Sequence, residues 1–369
     1  MNICIESSVL NFPSRSGLVT YTEGLLYSLF ENDKFNDYML AYYSLYRKAQ
    51  DMPGPSGKNF HKEVLRVPDR EFFQRQWVID KVVLPGLFKS KKIKIFHRPS
   101  GYTMPLVKGV YNILTIHDLR TVTIGDKYWT QNIADYQKTI NSLDKCVVVS
   151  ECTKQDILKY FKIDEKKIKV IYLGADKRFR PSAQEDIKGT LNKYQLNEPF
   201  LFSVGSVPRK NIEGIIRGFA RSKIVKDFQL VLGCNFDIEK YKLLAQELNI
   251  GKRVIILPYL GDQDVVNLYS ACHAFVFPSL YEGFGLPILE AMQCGAPVIT
   301  SNVSSCPEVA GDAALLVDPA NIGQIGDAIN QICSEASFRE GLIIKGYARA
   351  AHFSWDKFGK EMLDVYSRA

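Results

Sequence analysis

Short apolar runs recur along the chain, and each is followed by a stretch with helical spacing. In the first half the runs are "MNICIES", "YMLAYYS", "IKIFHRP", "YNILTIHD", "CVVVSE" and "IKVIYLG". In the second half they are "PFLFSVG", "FQLVLGC", "RVIILPYL", "AFVFPS", "APVIT" and "AALLVD". Runs without polar alternation predict strands covered on both faces, as in parallel α/β sheets. The strand–helix alternation predicts two similar, doubly wound α/β units facing each other across a cleft. The stretch Gly174–Pro199 has no strand and several turn formers, and reads as a linker with a short helix near its end. The predicted division is 1–175 for the first domain, 176–198 for the linker, 199–345 for the second domain and 346–369 for a closing amphipathic helix.

Length and composition fit this picture. A chain of 369 residues suggests two domains, and 46% hydrophobic with 24% charged residues is ordinary for a globular protein. The formal net charge of +7 favours anionic partners but is too small to imply nucleic acid. Eight scattered cysteines, none in a C-x-x-C pair, read as small buried hydrophobes in a reducing compartment. The start "MNICIESSVL" has no basic leader, and no apolar run is long enough to span a bilayer. The expected location is the cytoplasm, free or peripheral on a membrane surface. Glu71–Lys94 mixes aromatics, aliphatics and cations. It reads either as a domain helix with a solvated basic face or as a helix lying on an anionic membrane.

Candidate chemistry gathers at predicted strand ends. "HAFVFPS" reads as a buried strand, so "LYEGFG" is the loop at its carboxyl end, the edge where open α/β sheets bind ligands. Pro287 suits the first turn of the helix that follows, and Gly295 and Pro297 end it. The helix start offers unpaired N–H groups and positive dipole character, and Gly283 and Gly285 let the backbone approach a ligand. Glu282 lies in the loop and Glu290 in the first turns of the helix; taken alone, the pair could simply complement the dipole. In "FLFSVGSVPRKNIEGIIRGFA" a strand ends at Gly205, and Arg209 and Lys210 precede a helix starting near Asn211. Two cations there suit a diphosphate, with a solvated loop as the plainer reading. His117 and Asp118 end the strand "YNILTIHD", and Gly17 ends a loop before a helix. "GPSGKN" at Gly54–Asn59 lacks the full phosphate-loop pattern. Asp262 and Asp264 precede "VVNLYSA" and read as helix capping rather than metal ligands.

Three stretches carry a resemblance: "VVVSECTKQDILKYF…IKVIYLGAD", "SVGSVPRKNIEGIIRGFA" and "FVFPSLYEGFGLPILEAMQCGAPVITSNVSSCPEVAGDAALLVDP". In order and spacing they resemble the retaining glycosyltransferases of the GT-B fold, group 4 (the glycosyl transferases group 1 family), over nearly the whole chain. The resemblance implies two Rossmann-like domains, the first binding an acceptor and the second a nucleotide sugar, with a C-terminal helix crossing back to the first. It implies that Glu290 binds ribose hydroxyls and that Arg209 and Lys210 hold the diphosphate. The backbone at Phe284, Gly285 and Leu286 then contacts donor sugar or phosphate, and Glu282 reads sugar hydroxyls. Gly17 and Gly205 let the backbone near the donor, His117 sits by the anomeric centre, and Tyr259 and Leu260 flank the base. Two departures stand out. Ser206 replaces an Arg found in some members, which shifts the phosphate charge onto Arg209 and Lys210, and the N-terminal loop has one glycine where many members have two.

The implied reaction moves a hexose from a nucleotide diphosphate sugar, GDP-mannose being the first choice, to a glycan or lipid-linked saccharide in surface polysaccharide or glycolipid assembly. The anomeric configuration is kept, and neither catalytic metal nor resident cofactor is expected. Two alternatives stay open: a sugar-nucleotide epimerase of the same fold and a catalytically silent nucleotide-sugar-binding subunit.

Overall fold

The structure is a computed structural model that describes residues 1–12, 16–44, 46–66, 82–120, 127–205 and 207–369. The chain forms two compact units. One comprises Met1–Gly174 with Ser354–Ala369, and the other Ala175–Phe353.

The first unit is built on seven parallel strands: β1 (Asn2–Glu6), β2 (Asp37–Tyr43), β3 (Phe60–Leu65), β4 (Ile95–Arg98), β5 (Tyr111–Ile116), β6 (Lys145–Val148) and β7 (Ile168–Val170). Their order is β3-β2-β1-β4-β5-β6-β7, so the winding reverses between β1 and β4. On one face Cys4, Phe96, Leu114, Ile116 and Val148 pack with Phe88, Ile140 and Ile157. The helix Gly17–Asn32 starts at Ser16, whose hydroxyl accepts from the N–H of Val19 at 3.4 Å. It packs along the C-terminal helix Trp355–Ser367. The approach is close: a Cβ on Gly24 would collide with the Trp355 ring, and one on Gly359 would lie 2.9 Å from Ser28 Cβ.

The second unit repeats the plan with six parallel strands: β8 (Phe200–Val204), β9 (Gln229–Gly233), β10 (Val254–Leu257), β11 (Ala274–Phe277), β12 (Val298–Ser301) and β13 (Ala314–Val317). The order β10-β9-β8-β11-β12-β13 puts its reversal between β8 and β11. The helix Ile212–Arg221 shows how the sequence builds this core. Ile212, Ile215, Ile216 and Phe219 recur at helical spacing, and all are buried. Each such side chain contributes about 1.5–3 kcal/mol through its burial.

All twelve apolar runs are strands, as the pattern predicts. The predicted scheme needs three corrections. β3, "FHKEVL", was not anticipated; it is an edge strand, and its middle residues are only half-buried, so no continuous apolar run marks it. The predicted 176–198 linker belongs to the second unit. Its helix Gln184–Tyr194 packs on the helix Asp262–Ala271, where Asn267 Nδ2 donates to Thr190 Oγ1 at 2.8 Å and the Tyr194 hydroxyl to Asp264 at 2.8 Å. The predicted 346–369 closing helix is two elements. Ala336–Ala350 ends in the second unit, and a new helix begins at Trp355, capped by Ser354 Oγ accepting from Lys357 N–H at 3.2 Å. Phe353 stays with the second unit, its ring edge-on to Phe284 at 5.8 Å.

Of the Glu71–Lys94 stretch, 71–81 lies outside the described residues, and Leu84–Ser90 is a short helix with Leu84 and Phe88 buried. No helix among the described residues is long and apolar enough to cross a membrane.

Candidate active site

Of the predicted second-unit residues, Gly205, Arg209, Lys210 and Glu282 meet at the switch point of that unit's sheet, whereas Tyr259 and Leu260 follow its edge strand β10. β8 ends at Val204, and Gly205 follows. A Cβ on Gly205 would lie 2.5 Å from Lys210 Cβ and 2.6 Å from its Cγ, so glycine is what lets the lysine pass. A short 3-10 turn, Pro208–Lys210, then aims both cations towards the loop after β11. Asn211 closes this turn in the left-handed region at φ 59°. Its amide donates to Pro278 O at 3.1 Å and Pro319 O at 2.8 Å.

Between the cations lies Glu282, 5% exposed. Its Oε2 is 2.7 Å from Arg209 Nη1 and its Oε1 is 2.7 Å from Lys210 Nζ. Ser279 Oγ lies 2.6 Å from the same Oε1. Lys210 Nζ also stands over the Phe277 ring, 4.4 Å from its centre, and Arg209 Nη1 donates to Tyr281 O at 2.8 Å. Burial alone would raise the Glu282 carboxyl, but Lys210, Arg209 and Ser279 together outweigh it and hold it below its ordinary range. Burial pulls the Lys210 ammonium down; Glu282 opposes that, Arg209 adds to it, and the net direction is down. The result is an ionised carboxylate flanked by two cations, one positive charge in excess, with little water to screen it.

The loop that carries Glu282 is tied from below. Ser304 Oγ donates to Glu282 O at 2.5 Å and accepts from Glu282 N–H at 3.1 Å. Ser305 Oγ lies 2.9 Å from both Glu282 O and Phe284 O. Gly285, at φ +103°, turns the chain into the helix Leu286–Gln293, whose second residue is Pro287. Phe284 is buried and Leu286 half-buried at this start.

Glu290 lies further along the same helix and is half-buried. Burial pushes its carboxyl up to about 7, against the pull of Arg178 and Lys210, with Asp176 pushing the same way as burial. The buried Tyr269 hydroxyl lies beside it. Arg178 comes from the segment expected to be linker. It is paired with Asp262 at 2.8 Å and lies 3.5 Å from Asp176. Asp264 accepts from Gly261 N–H at 3.2 Å and pairs with Lys193 at 2.7 Å, a capping arrangement as the sequence suggested. No cluster of three or more metal-ligating side chains occurs among the described residues. After β10, Tyr259 is 82% exposed and Leu260 packs near Gly233.

His117 and Gly17 belong to the first unit. His117 follows β5; its Nε2–H donates to Pro99 O at 2.7 Å, and Tyr21 meets its ring edge-on at 4.5 Å. A carbonyl can only accept, so Nε2 carries the proton and Nδ1 keeps the lone pair. Burial holds the ring below its ordinary value despite Pro99 O and Asp118. Asp118 accepts from the Tyr102 hydroxyl at 3.1 Å. Gly17 is the exposed first residue of its helix, and a Cβ there would meet nothing within 4 Å. Among the described residues nothing obstructs its replacement.

The sequence did not single out Ser279, Ser304, Ser305, Arg178 or Tyr269. Ser304 and Ser305 had a usable signal, two hydroxyls in a loop just before a proline-containing helix. Arg178 had none, because its role depends on how the chain folds back.

A buried carboxylate between two cations thus stands at the sheet's carboxyl edge, beside a helix start, with one positive charge in excess. The family model "Glycosyl transferases group 1" matches residues 184–349, and "Glycosyltransferase Family 4" matches 47–179. The chain belongs to the glycosyl transferases group 1 family and is a glycosyltransferase. It is 32% identical to the O-antigen chain mannosyltransferase B of Escherichia coli, over 75% of each chain. It is 28% identical to the serotype-specific mannosyltransferase WbdA of Escherichia coli over 66% of this chain but only 30% of WbdA. Among solved structures it resembles sucrose-phosphate synthase from Thermosynechococcus elongatus, with a TM-score of 0.79 at 21% identity, covering 100% of this chain and 98% of that one. It also resembles Anabaena HepE in complex with UDP-glucose, with a TM-score of 0.78 at 15% identity over 100% of both. These two likenesses establish the GT-B fold.

Proposed function

We propose that this chain transfers mannose from a nucleotide diphosphate sugar to a hydroxyl of a glycan or lipid-linked saccharide, with retention of anomeric configuration and without a catalytic metal. The observation that carries the reading is the pair Arg209 and Lys210 closed on Glu282 at the start of the Leu286–Gln293 helix. Mannose is favoured by the two Escherichia coli relatives, both mannosyltransferases, and GDP-mannose is the donor to try first. Assembly of a surface polysaccharide follows from the same relatives.

As the bond from the sugar's anomeric carbon to the diphosphate oxygen breaks, negative charge grows on the departing phosphate. Arg209, Lys210 and helix-start N–H groups stabilise that charge. The acceptor oxygen bonds to the same carbon from the leaving group's face, and its proton passes to a phosphate oxygen. No protein general base is needed. Glu282, released in part as phosphate takes up its cations, reads sugar hydroxyls, and Glu290 reads the ribose. His117 positions the sugar.

The test is a thermal-shift panel of GDP, UDP, ADP and their sugars, followed by NMR of the product's anomeric configuration. A ligand at about 100 times its Kd adds roughly 2.7 kcal/mol of stability. A shift with GDP-mannose and an α-linked product support the reading. Stabilisation by none of the nucleotides, or an inverted product, overturns it.

A further inference from the structure

The first unit contains a buried chain of hydrogen bonds that no element of the reaction scheme uses. It starts on the C-terminal helix. The Tyr366 hydroxyl lies 2.6 Å from His97 Nδ1, on β4. His97 Nε2 lies 2.8 Å from Thr115 Oγ1, on β5. Thr115 Oγ1 lies 2.9 Å from the Tyr21 hydroxyl, on the Gly17–Asn32 helix. Tyr366, His97, Thr115 and Tyr21 are all 0% exposed. At its far end the Tyr21 ring stands edge-on to His117, with the ring planes at 89°.

Proton counting limits how the bonds can run. Burial, with His117 nearby, pushes His97 down to about 3, so the ring is neutral and has one donor and one acceptor. If Tyr366 donates to Nδ1, then Nε2–H donates to Thr115 and Thr115 can donate to Tyr21. If Tyr21 donates to Thr115, the threonine hydroxyl, with two lone pairs, either also accepts from Nε2–H or donates to Nε2, in which case Nδ1–H donates to Tyr366. In each arrangement the tautomer of His97 ties its bond with Tyr366 to its bond with Thr115, and loss of either partner leaves a buried group unpaired. The four groups join two helices to two strands, and Thr115 lies two residues before His117.

We infer that Thr115, His97 and Tyr366 are positioning residues that hold the Tyr21 ring against His117, coupling the C-terminal helix to the sugar-transfer step. The inference rests on the proposed role of His117. The geometry supports it in a second way. Phe358 and Trp355 of the same helix form an aromatic series with Tyr21, with centroids 5.5 Å apart for Tyr21–Phe358 and 5.1 Å for Trp355–Phe358. Tyr21 is thus fixed at its hydroxyl by Thr115 and on its ring by Phe358, and His117 contacts it edge-on. A small shift of a positioned group at a reacting centre costs rate rather than ground-state binding.

The experiment compares Thr115→Val, which removes the hydroxyl at constant shape, with Thr115→Ser, which keeps it. Tyr366→Phe is a second probe should Thr115→Val fail to fold. Each full-length variant is assayed for kcat, donor KM, Tm and the ring nitrogen signals of His117 by 15N NMR. The inference expects Thr115→Val to lower kcat about tenfold with KM within about twofold, to move the His117 signals, and Thr115→Ser to restore both. A lower Tm with unmoved His117 signals and unchanged kcat would falsify it, since the chain would then only staple the fold. Moved signals with unchanged kcat would overturn the coupling to transfer. If the wild type moves no sugar at all, the proposed function fails instead. The ring signals alone then decide whether the chain reaches His117.

Discussion

The two sheets share one strand order about their switch points, yet the residues at their carboxyl ends differ in kind. At the second sheet two cations close on one buried carboxylate, and the local charge is positive. At the first sheet, among the described residues, Glu6 and Arg98 balance each other at 3.7 Å, and next to them runs the neutral chain of Tyr366, His97, Thr115 and Tyr21. Among the described residues, the same backbone plan thus carries an excess of positive charge beside β8 and β11, while Glu6 and Arg98 offset each other beside β1 and β4.

Four measurements test how far the difference extends. The largest effect is expected from Glu282→Ala, which leaves Arg209 and Lys210 buried against each other. It destabilises the second unit by about 3–5 kcal/mol, read by calorimetry, whereas losing one hydroxyl of the neutral chain costs about 1–3 kcal/mol. Equal losses would mean that charge does not distinguish the two edges. Next, Lys210→Ala lowers kcat/KM by roughly 10- to 100-fold, about 1.5–3 kcal/mol of transition-state stabilisation. An unchanged kcat/KM removes Lys210 from the site.

A smaller effect follows from Glu290. Its folded pKa of about 7 lies above the ordinary 4.5, so between those values the folded state holds the proton more tightly than the unfolded one. Its contribution is full below the ordinary value and is lost as pH rises to about 7. The groups facing it are Arg178, Lys210, Asp176 and Tyr269. Glu290→Gln should therefore gain Tm relative to wild type on going from about pH 5 to about pH 8. A difference that is constant with pH means that Glu290 stays ionised throughout. The smallest effect is expected from chelation: EDTA leaves turnover within about twofold, because side-chain cations supply the positive charge. Turnover lost to EDTA and restored by Mn²⁺ would return Asp262 and Asp264 to the site.

Much of the fold was legible in the sequence, and for one reason. Strands buried on both faces must be apolar throughout, so runs such as "FLFSV" and "AFVF" identify themselves without any partner being known. The edge strand β3 broke that rule because Lys62, Glu63 and Val64 are only half-buried, and its one clear sign was a neighbour it had not yet met. The closing helix was misread because amphipathic spacing continues through Ala348–Ala369 without a proline or glycine at the break. The cap at Ser354 was there to be seen.

The site divides the same way. Arg209, Lys210, Glu282 and Glu290 were legible because each sits in a short segment whose local grammar, a strand end, a turn or a helix start, can be read without tertiary information. By itself the sequence determined the two parallel α/β units, their strand ends and the residue types placed there, since period and turn chemistry are properties of neighbouring residues. Only tertiary structure decided which of those residues pair: that Glu282 lies between Arg209 and Lys210, that Arg178 of the supposed linker comes near Glu290, and that His97 joins Tyr366, 269 positions away along the chain. Such pairings depend on distance through space in a low-dielectric interior. Separation along the chain carries no information about that distance.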